Sequence, residues 1–263
     1  MLRPANVQKF RLEAGVFLLV LFILLPACAT APYTGRSQLM LVPEEQAAAM
    51  GEQAAEQILQ QERKSTNQDY VAMVERVGQR IVSVTEQTPY TWQFHTIAGD
   101  QANAFALPGG YVFIYEGIFK YADSEAKLAT VIAHEIAHVL VDHGSERMSM
   151  QLLSQLGETA AKTALSIQSP TATQAFDVAY GLASNVGVIL PYSRQQELEA
   201  DKVGLVLMAK AGYDPRAAID FWQAMSSEKG AEPPVFLSTH PTGAQRIEQI
   251  RQFMPEALQH YRR

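Results

Sequence analysis

The chain is short of cysteine: Cys28 is the only one in 263 residues, so no internal disulfide can form. Basic charge is short as well. Twenty-one lysines and arginines face 27 acids, a formal net charge of −6, which excludes a surface built mainly to neutralise phosphates. No basic run or base-stacking motif reverses that balance, so no nucleic acid partner is expected. Long apolar runs are missing beyond the first thirty residues, and the stretch Val186 to Leu190 is too short and interrupted to cross a bilayer. At 48% hydrophobic residues, one ordinary domain can still bury a sizeable core without covalent staples.

The opening segment differs from the rest. Arg3, Lys9 and Arg11 precede the apolar run Val16 to Leu25, which ends in Leu25-Pro26-Ala27-Cys28. A positive lead, a short apolar stretch and small residues before a cut describe a secretory signal over residues 1–27. Its end resembles a bacterial lipobox, although Pro26 is an unusual filler; the resemblance implies that Cys28 is lipidated and begins the mature chain. The plainer alternative is a signal or anchor with an incidental cysteine. Loss of Arg3, Lys9, Arg11 and Glu13 leaves 18 basic and 26 acidic residues, a net of −8.

Residues 28–41 contain Pro32 and Gly35 and no periodicity, so they read as a tether. Residues 42–256 then form the domain and 257–263 a tail. Helices are expected from Pro43 to about Glu62 and from about Gln68 to Glu86. Strands follow at Thr91 to Ile97, Asn103 to Leu107 and Tyr111 to Tyr115. Beyond Gly117 the pattern is helical: Ser124 to Val141, two helices within Ser145 to Leu190, Arg194 to Ala211, one reaching Met225, and Pro241 to Phe253. The fold class is therefore α+β and mainly α, with a small sheet beside the helix at Ser124.

That helix carries His134-Glu135-x-x-His138. Residues four apart share a helical face, so both imidazoles can reach one metal ion. Glu135 points about 100° away, beside the metal rather than onto it, where it can take a proton from an attacking water. A catalytic zinc needs a third protein ligand. A later histidine at the metzincin position is ruled out, because Val141 and Gly144 stand where Gly and His are required. Two glutamates remain as candidates, Glu158 and Glu197.

His134-Glu135-x-x-His138 together with Glu197-x-x-Ala200-Asp201 resembles the HtpX/BepA/LoiP-like gluzincins, metallopeptidase family forty-eight, in their lipoprotein form; the likeness runs from about Glu44 to Phe253. The resemblance implies a zincin-like fold and one Zn2+ per chain bound by His134, His138 and Glu197, with Glu135 as general base. It gives Asp201 a place on the face of Glu197, to orient a histidine ligand or donate a late proton. Glu199 falls on another face and reads as a surface acid. Asn103, Ala104, Phe105 and Ala106 before Pro108-Gly109-Gly110 resemble the family's strand beside the cleft, where a peptide can add as a further strand; alone they fit a simple hairpin equally well. Ser238-Thr239-His240-Pro241 with Arg246 resembles a family block near the substrate. There His240 can stabilise an oxyanion or fill the open metal position at rest, or simply cap the last helix. His143 lies off the ligand face, as a helix-end or contact residue, while His95 and His260 gain no role.

The expected activity is zinc-dependent endopeptidase cleavage of misfolded or damaged cell-envelope proteins. An envelope chaperone with little or regulated hydrolysis is the alternative. The expected partners are unfolded or misassembled envelope polypeptides, and the membrane through the N-terminal lipid. Ala29, in place of an aspartate that retains a lipoprotein in the inner membrane, points to the outer membrane facing the periplasm. The sequence says nothing of oligomeric state.

Overall fold

The computed structural model describes residues 28–165, 169–184, 190–227, 234–241 and 244–262; the leader expected over residues 1–27 lies outside them. A hairpin comes first, β1 (Cys28–Thr30) and β2 (Ser37–Leu39), paired antiparallel. Then follow α1 (Glu44–Gln61), α2 (Gln68–Val82), β3 (Gln93–Ile97), β4 (Ala104–Leu107) and β5 (Tyr111–Tyr115). The rest is helical: α3 (Glu125–Leu140), α4 (His143–Ala164), α5 (Pro170–Ser184), α6 (Leu190–Lys210), α7 (Ala217–Ser226), α8 (Val235–Thr239) and α9 (Ala244–His260). The molecule is mainly helical with small sheets, as expected.

The three-stranded sheet has the order β3-β5-β4. β3 runs parallel to β5, with Gln93 opposite Tyr111, and β4 runs antiparallel to it, with Ala104 opposite Ile114. β4 is thus an edge strand, and the turn that joins it to β5 uses Gly109 and Gly110 at φ 88° and 89°. Side chains with a Cβ rarely adopt that backbone.

α3 forms the centre. Ser124 caps it by accepting from the Lys127 N–H, and every residue from Leu128 to Leu140 is buried. α2, α6, α7 and the sheet surround it, so the apolar run of α3 serves the core on all sides. α6 passes closest. A Cβ on Gly204 would sit 3.1 Å from the Ala133 carbonyl and the His134 nitrogen, so any larger residue there would press the metal-motif helix away by a few tenths of an ångström.

Two boundaries depart from the sequence reading. Residues 28–41, expected as a tether, are folded onto the domain: Ala31 and Gln38 are buried, and the Gln38 amide donates to the Val141 carbonyl at 2.5 Å. Ser149 Oγ accepts from the Leu41 and Val42 N–H groups at 2.9 and 3.0 Å. The final helix also runs past Phe253 into the expected tail, with Pro255 inside it. A proline there removes one helical hydrogen bond, but Met254 and Ala257 on either side are buried, and that packing carries the helix onward. No helix among the described residues is long and apolar enough to cross a membrane.

Candidate metal centre

α3 presents His134 and His138 on one face, α6 presents Glu197, and the end of α8 presents His240. One ligand atom from each lies within 4.8 Å of all the others, and all four residues are buried. The individual distances are short. His134 Nε2 is 3.0 Å from His138 Nε2 and 3.1 Å from His240 Nδ1. The Glu197 carboxylate oxygens lie 3.2 Å from His134 Nε2, 3.3 Å from His138 Nε2 and 2.9 Å from His240 Nδ1. A tetrahedral zinc with bonds of about 2.0–2.1 Å to nitrogen spaces its ligand atoms roughly 3.3 Å apart. The cluster has that spacing.

Tautomers sharpen the fit. His134 Nδ1 faces Asp201 Oδ1 at 3.0 Å, so the ring proton belongs on Nδ1 and Nε2 offers a lone pair. His138 Nδ1 lies 2.9 Å from His143 Nδ1, which permits the same assignment. Two lone pairs then face each other across 3.0 Å, an arrangement that a shared cation relieves. Glu197 Oε1 is buried without a hydrogen-bond partner, a further donor awaiting an ion. Burial works against ionisation of Glu197, yet its histidine neighbours, with the His134 and His138 ring nitrogens within reach of its oxygens, hold it well below the usual carboxylate range.

Behind these ligands stand two carboxylates with arginines. Asp201 accepts from Arg246 Nε at 2.7 Å and Nη2 at 2.8 Å. Despite its burial, Arg246 and His134 keep Asp201 ionised. Arg246 is buried, its guanidinium lies 3.8 Å from the Trp222 ring centroid, and its Nη1 reaches Glu197 Oε2 at 3.3 Å. The sequence reading placed Arg246 with substrate; in the structure its donors meet Asp201, Glu197 and the Pro241 carbonyl. On the other side, Glu199 was read as a surface acid and is buried. Its Oε2 lies 3.0 Å from His143 Nε2. Burial raises its pKa, but His143, Thr34 and Arg36 bring it down to about 2.

Glu135 is buried, and its Oε1 has no hydrogen-bond partner; His240 Nε2 stands 3.3 Å from it. His240 also closes α8 with its backbone N–H, donating to Phe236 at 2.8 Å, while its ring turns into the cluster. Glu158, the other candidate ligand, lies on α4 and accepts from Lys162 at 2.8 Å. It takes no part in the metal cluster among the described residues. His95 lies on β3 and His260 ends α9, both outside the cluster.

A cleft of about 260 Å³ opens beside His138. Ala106 and Leu107 of β4, Pro108 after it, and Asp142, Arg147 and Met148 are among the residues that line it. Of the residues expected at a substrate edge, Ala104, Phe105 and Ala106 belong to β4 and Asn103 precedes it; Ala106 is the one of the four that lines this cleft.

The comparison with family models places residues 68–254 in Peptidase family M48. The chain belongs to peptidase family M48. Mitochondrial metalloendopeptidase OMA1 of Schizosaccharomyces pombe is 38% identical over 189 residues, 70% of this chain and 53% of that protein. The beta-barrel assembly-enhancing protease of Yersinia pestis is 30% identical over 234 residues, 87% of this chain and 48% of that protein. Human metalloendopeptidase OMA1 is 32% identical over 254 residues, covering 87% of this chain and 46% of that protein. The chain thus spans about half the length of these curated relatives. M48 metallopeptidases use zinc, and the buried cluster of His134, His138, Glu197 and His240 suits it. Three nitrogens and a carboxylate are a zinc donor set.

Arg36 and Glu146 are participants that sequence reasoning missed and Glu199 one that it took for a surface acid, whereas His143 is the helix-end contact residue expected. Glu199 lies two residues from Glu197 and so 200° round the helix, and nothing local announces that the hairpin at residues 28–39 covers that side.

Proposed function

We propose that the chain is a zinc-dependent endopeptidase that cleaves misfolded or damaged cell-envelope proteins. The observation that carries this reading is the meeting of His134, His138 and Glu197 around one point, with Glu135 Oε1, which makes no hydrogen bond, 3.3 Å from the His240 ring of the same cluster. Zinc at that point supplies Lewis acidity to a peptide carbonyl and acidifies water. Glu135 Oε1 takes the proton of the attacking water and later passes it to the leaving amine. Asp201 keeps the His134 proton on Nδ1, so that Nε2 stays a ligand through the cycle. A peptide laid along β4 as an added strand would place its bonds beside His138 and one side chain in the 260 Å³ cleft.

Glu135→Gln is expected to bind zinc with stoichiometry near one and to lose casein cleavage by at least about a hundredfold, within the range of acid–base catalysis. Undiminished proteolysis by this variant would refute the assignment.

The position of His240 Nδ1, 2.9 Å from Glu197 and 3.1 Å from His134, favours a second element: hydrolysis restrained at rest. A fourth protein donor fills the place a catalytic zinc keeps open. On this reading His240→Ala raises cleavage of unfolded casein. A fall in turnover would instead assign His240 to transition-state stabilisation. A holding role towards unfolded envelope polypeptides is compatible with such restraint, and chelation separates the two, since binding survives it and cleavage does not.

The leader and Cys28 support lipid attachment in the cell envelope, on the outer membrane facing the periplasm, and one curated relative is named a beta-barrel assembly-enhancing protease. Cys28→Ser should move the protein from the membrane to the soluble periplasmic fraction. An unchanged membrane fraction counts against the anchor.

A further inference from the structure

We propose that Arg36, in the N-terminal hairpin, is a positioning residue for the metal centre, acting on His138 through Glu199 and His143. The inference rests on the zinc reading above. Its basis is an unbroken hydrogen-bonded chain. His138 can ligate through Nε2 only with its proton on Nδ1, and that proton needs an acceptor. His143 Nδ1 is 2.9 Å away. A neutral His143 that accepts at Nδ1 carries its own proton on Nε2, and Glu199 Oε2 receives it at 3.0 Å. Arg36 Nε then donates to the same Oε2 at 2.7 Å, and Thr34 Oγ1 bonds the other carboxylate oxygen.

The remaining Arg36 donors are also occupied. Nη1 and Nη2 bond the two oxygens of Glu146 at 2.8 and 2.7 Å, and Gln196 donates to Glu146 at 2.6 Å. Glu146 is fully buried. One planar guanidinium therefore spans two buried carboxylates from α4 and α6, which a lysine cannot do with a single nitrogen. The hairpin itself is pinned to the end of α3 by Gln38 on Val141. Arg147 Nη2 stands 3.3 Å from His138 Nδ1. Being a donor only, it can bond that nitrogen solely in the tautomer that blocks ligation. Arg36 and Glu199 therefore select between two ring states: they hold the proton on Nδ1 against the competing arginine.

The test measures zinc affinity by chelator competition on the full chain, with peptide kinetics alongside. Arg36→Lys keeps the charge and gives up the two-carboxylate fork. It should weaken zinc binding about tenfold, the lower end for outer-shell partners of a ligand, and lower kcat with KM unchanged. In a His143→Gln background, where the chain is already cut, Arg36→Lys should cost nothing further in zinc affinity. Unchanged affinity in Arg36→Lys beside a lower Tm overturns the proposal, leaving Arg36 a purely structural clamp; so does the same tenfold loss in both backgrounds. Should these variants not fold, Thr34→Val removes one bond to Glu199 and should give a smaller loss of affinity; none at all is again a refutation. A wild-type chain that takes up no zinc is a separate result, and defeats the metal reading itself.

Discussion

His134 and His138 leave the same helix four residues apart, yet the protein secures them differently. His134 is held by one carboxylate, Asp201, clamped by Arg246. Every part of that clamp comes from α3, α6 and α9 of the helical body. His138 is held at one remove, through His143 to Glu199, and the arginine belongs to a hairpin at the other end of the chain. The first clamp is integral to the core. The second joins a peripheral segment to the metal, so the two ligands should respond differently when their supports are cut.

The largest difference should appear with the arginine of the inner clamp. Arg246 reaches both Asp201, at 2.7 Å, and Glu197, at 3.3 Å, and it stacks on Trp222. Arg246→Ala strips Asp201 of its two guanidinium hydrogen bonds and leaves His134 as its remaining partner; breaking a buried ion pair of this kind costs about 3–5 kcal/mol. Urea unfolding should show a loss of that size. One below about 1 kcal/mol would reduce the clamp to the worth of a surface ion pair and remove the contrast with the hairpin side.

The next effect is on the metal. Asp201→Asn removes a direct partner of His134 and should weaken zinc binding about 10–100-fold. Glu199→Gln acts through an intervening ring and should fall at or below the low end of that range. Equal losses would mean that His143 transmits the carboxylate's influence undiminished, and the distinction between the two supports would fail.

These contrasts mark how much of the site was legible. The ligand pair and Glu135 follow from helical spacing alone, because α3 is one uninterrupted helix and a wheel drawn on the sequence holds. Glu197 and Asp201 share a face of α6 for the same reason. His143 is off the ligand face and a helix-end contact residue, as expected, but which residue it contacts was not legible: α3 ends at Leu140, Asp142 turns the backbone left-handed at φ 56°, and α4 starts at once. That turn folds His143 back onto His138, which straight helical geometry forbids. Glu199 was misjudged because its partners, Thr34 and Arg36, are over 160 residues away in sequence. Small sheets and helix order were readable from periodicity. Docking of residues 28–41 was not, since a hairpin of three-residue strands has too little pattern to separate from a loop.

The smallest expected effect lies at that left-handed junction and touches only the His138 side. Burial, with Glu44 and Glu146 nearby, pushes the Asp142 carboxyl up to about 6 from 3.8. A raised acid favours the fold while neutral, so its contribution is fully present below about pH 3.8 and is lost as pH climbs through about 6. The shift alone corresponds to about 3 kcal/mol, and solvent screening of a partly exposed group brings this to roughly 1 kcal/mol. Asn tolerates the left-handed backbone and carries no charge. Asp142→Asn should therefore gain about 1 kcal/mol over wild type at pH 7.5 and almost nothing at pH 3.5, read by denaturant melts at both values. Zinc affinity should stay as it was, because the turn is preserved and His143 keeps its place. A drop in affinity with the gain in stability would show that the charge at Asp142, and not only the turn, supports His138.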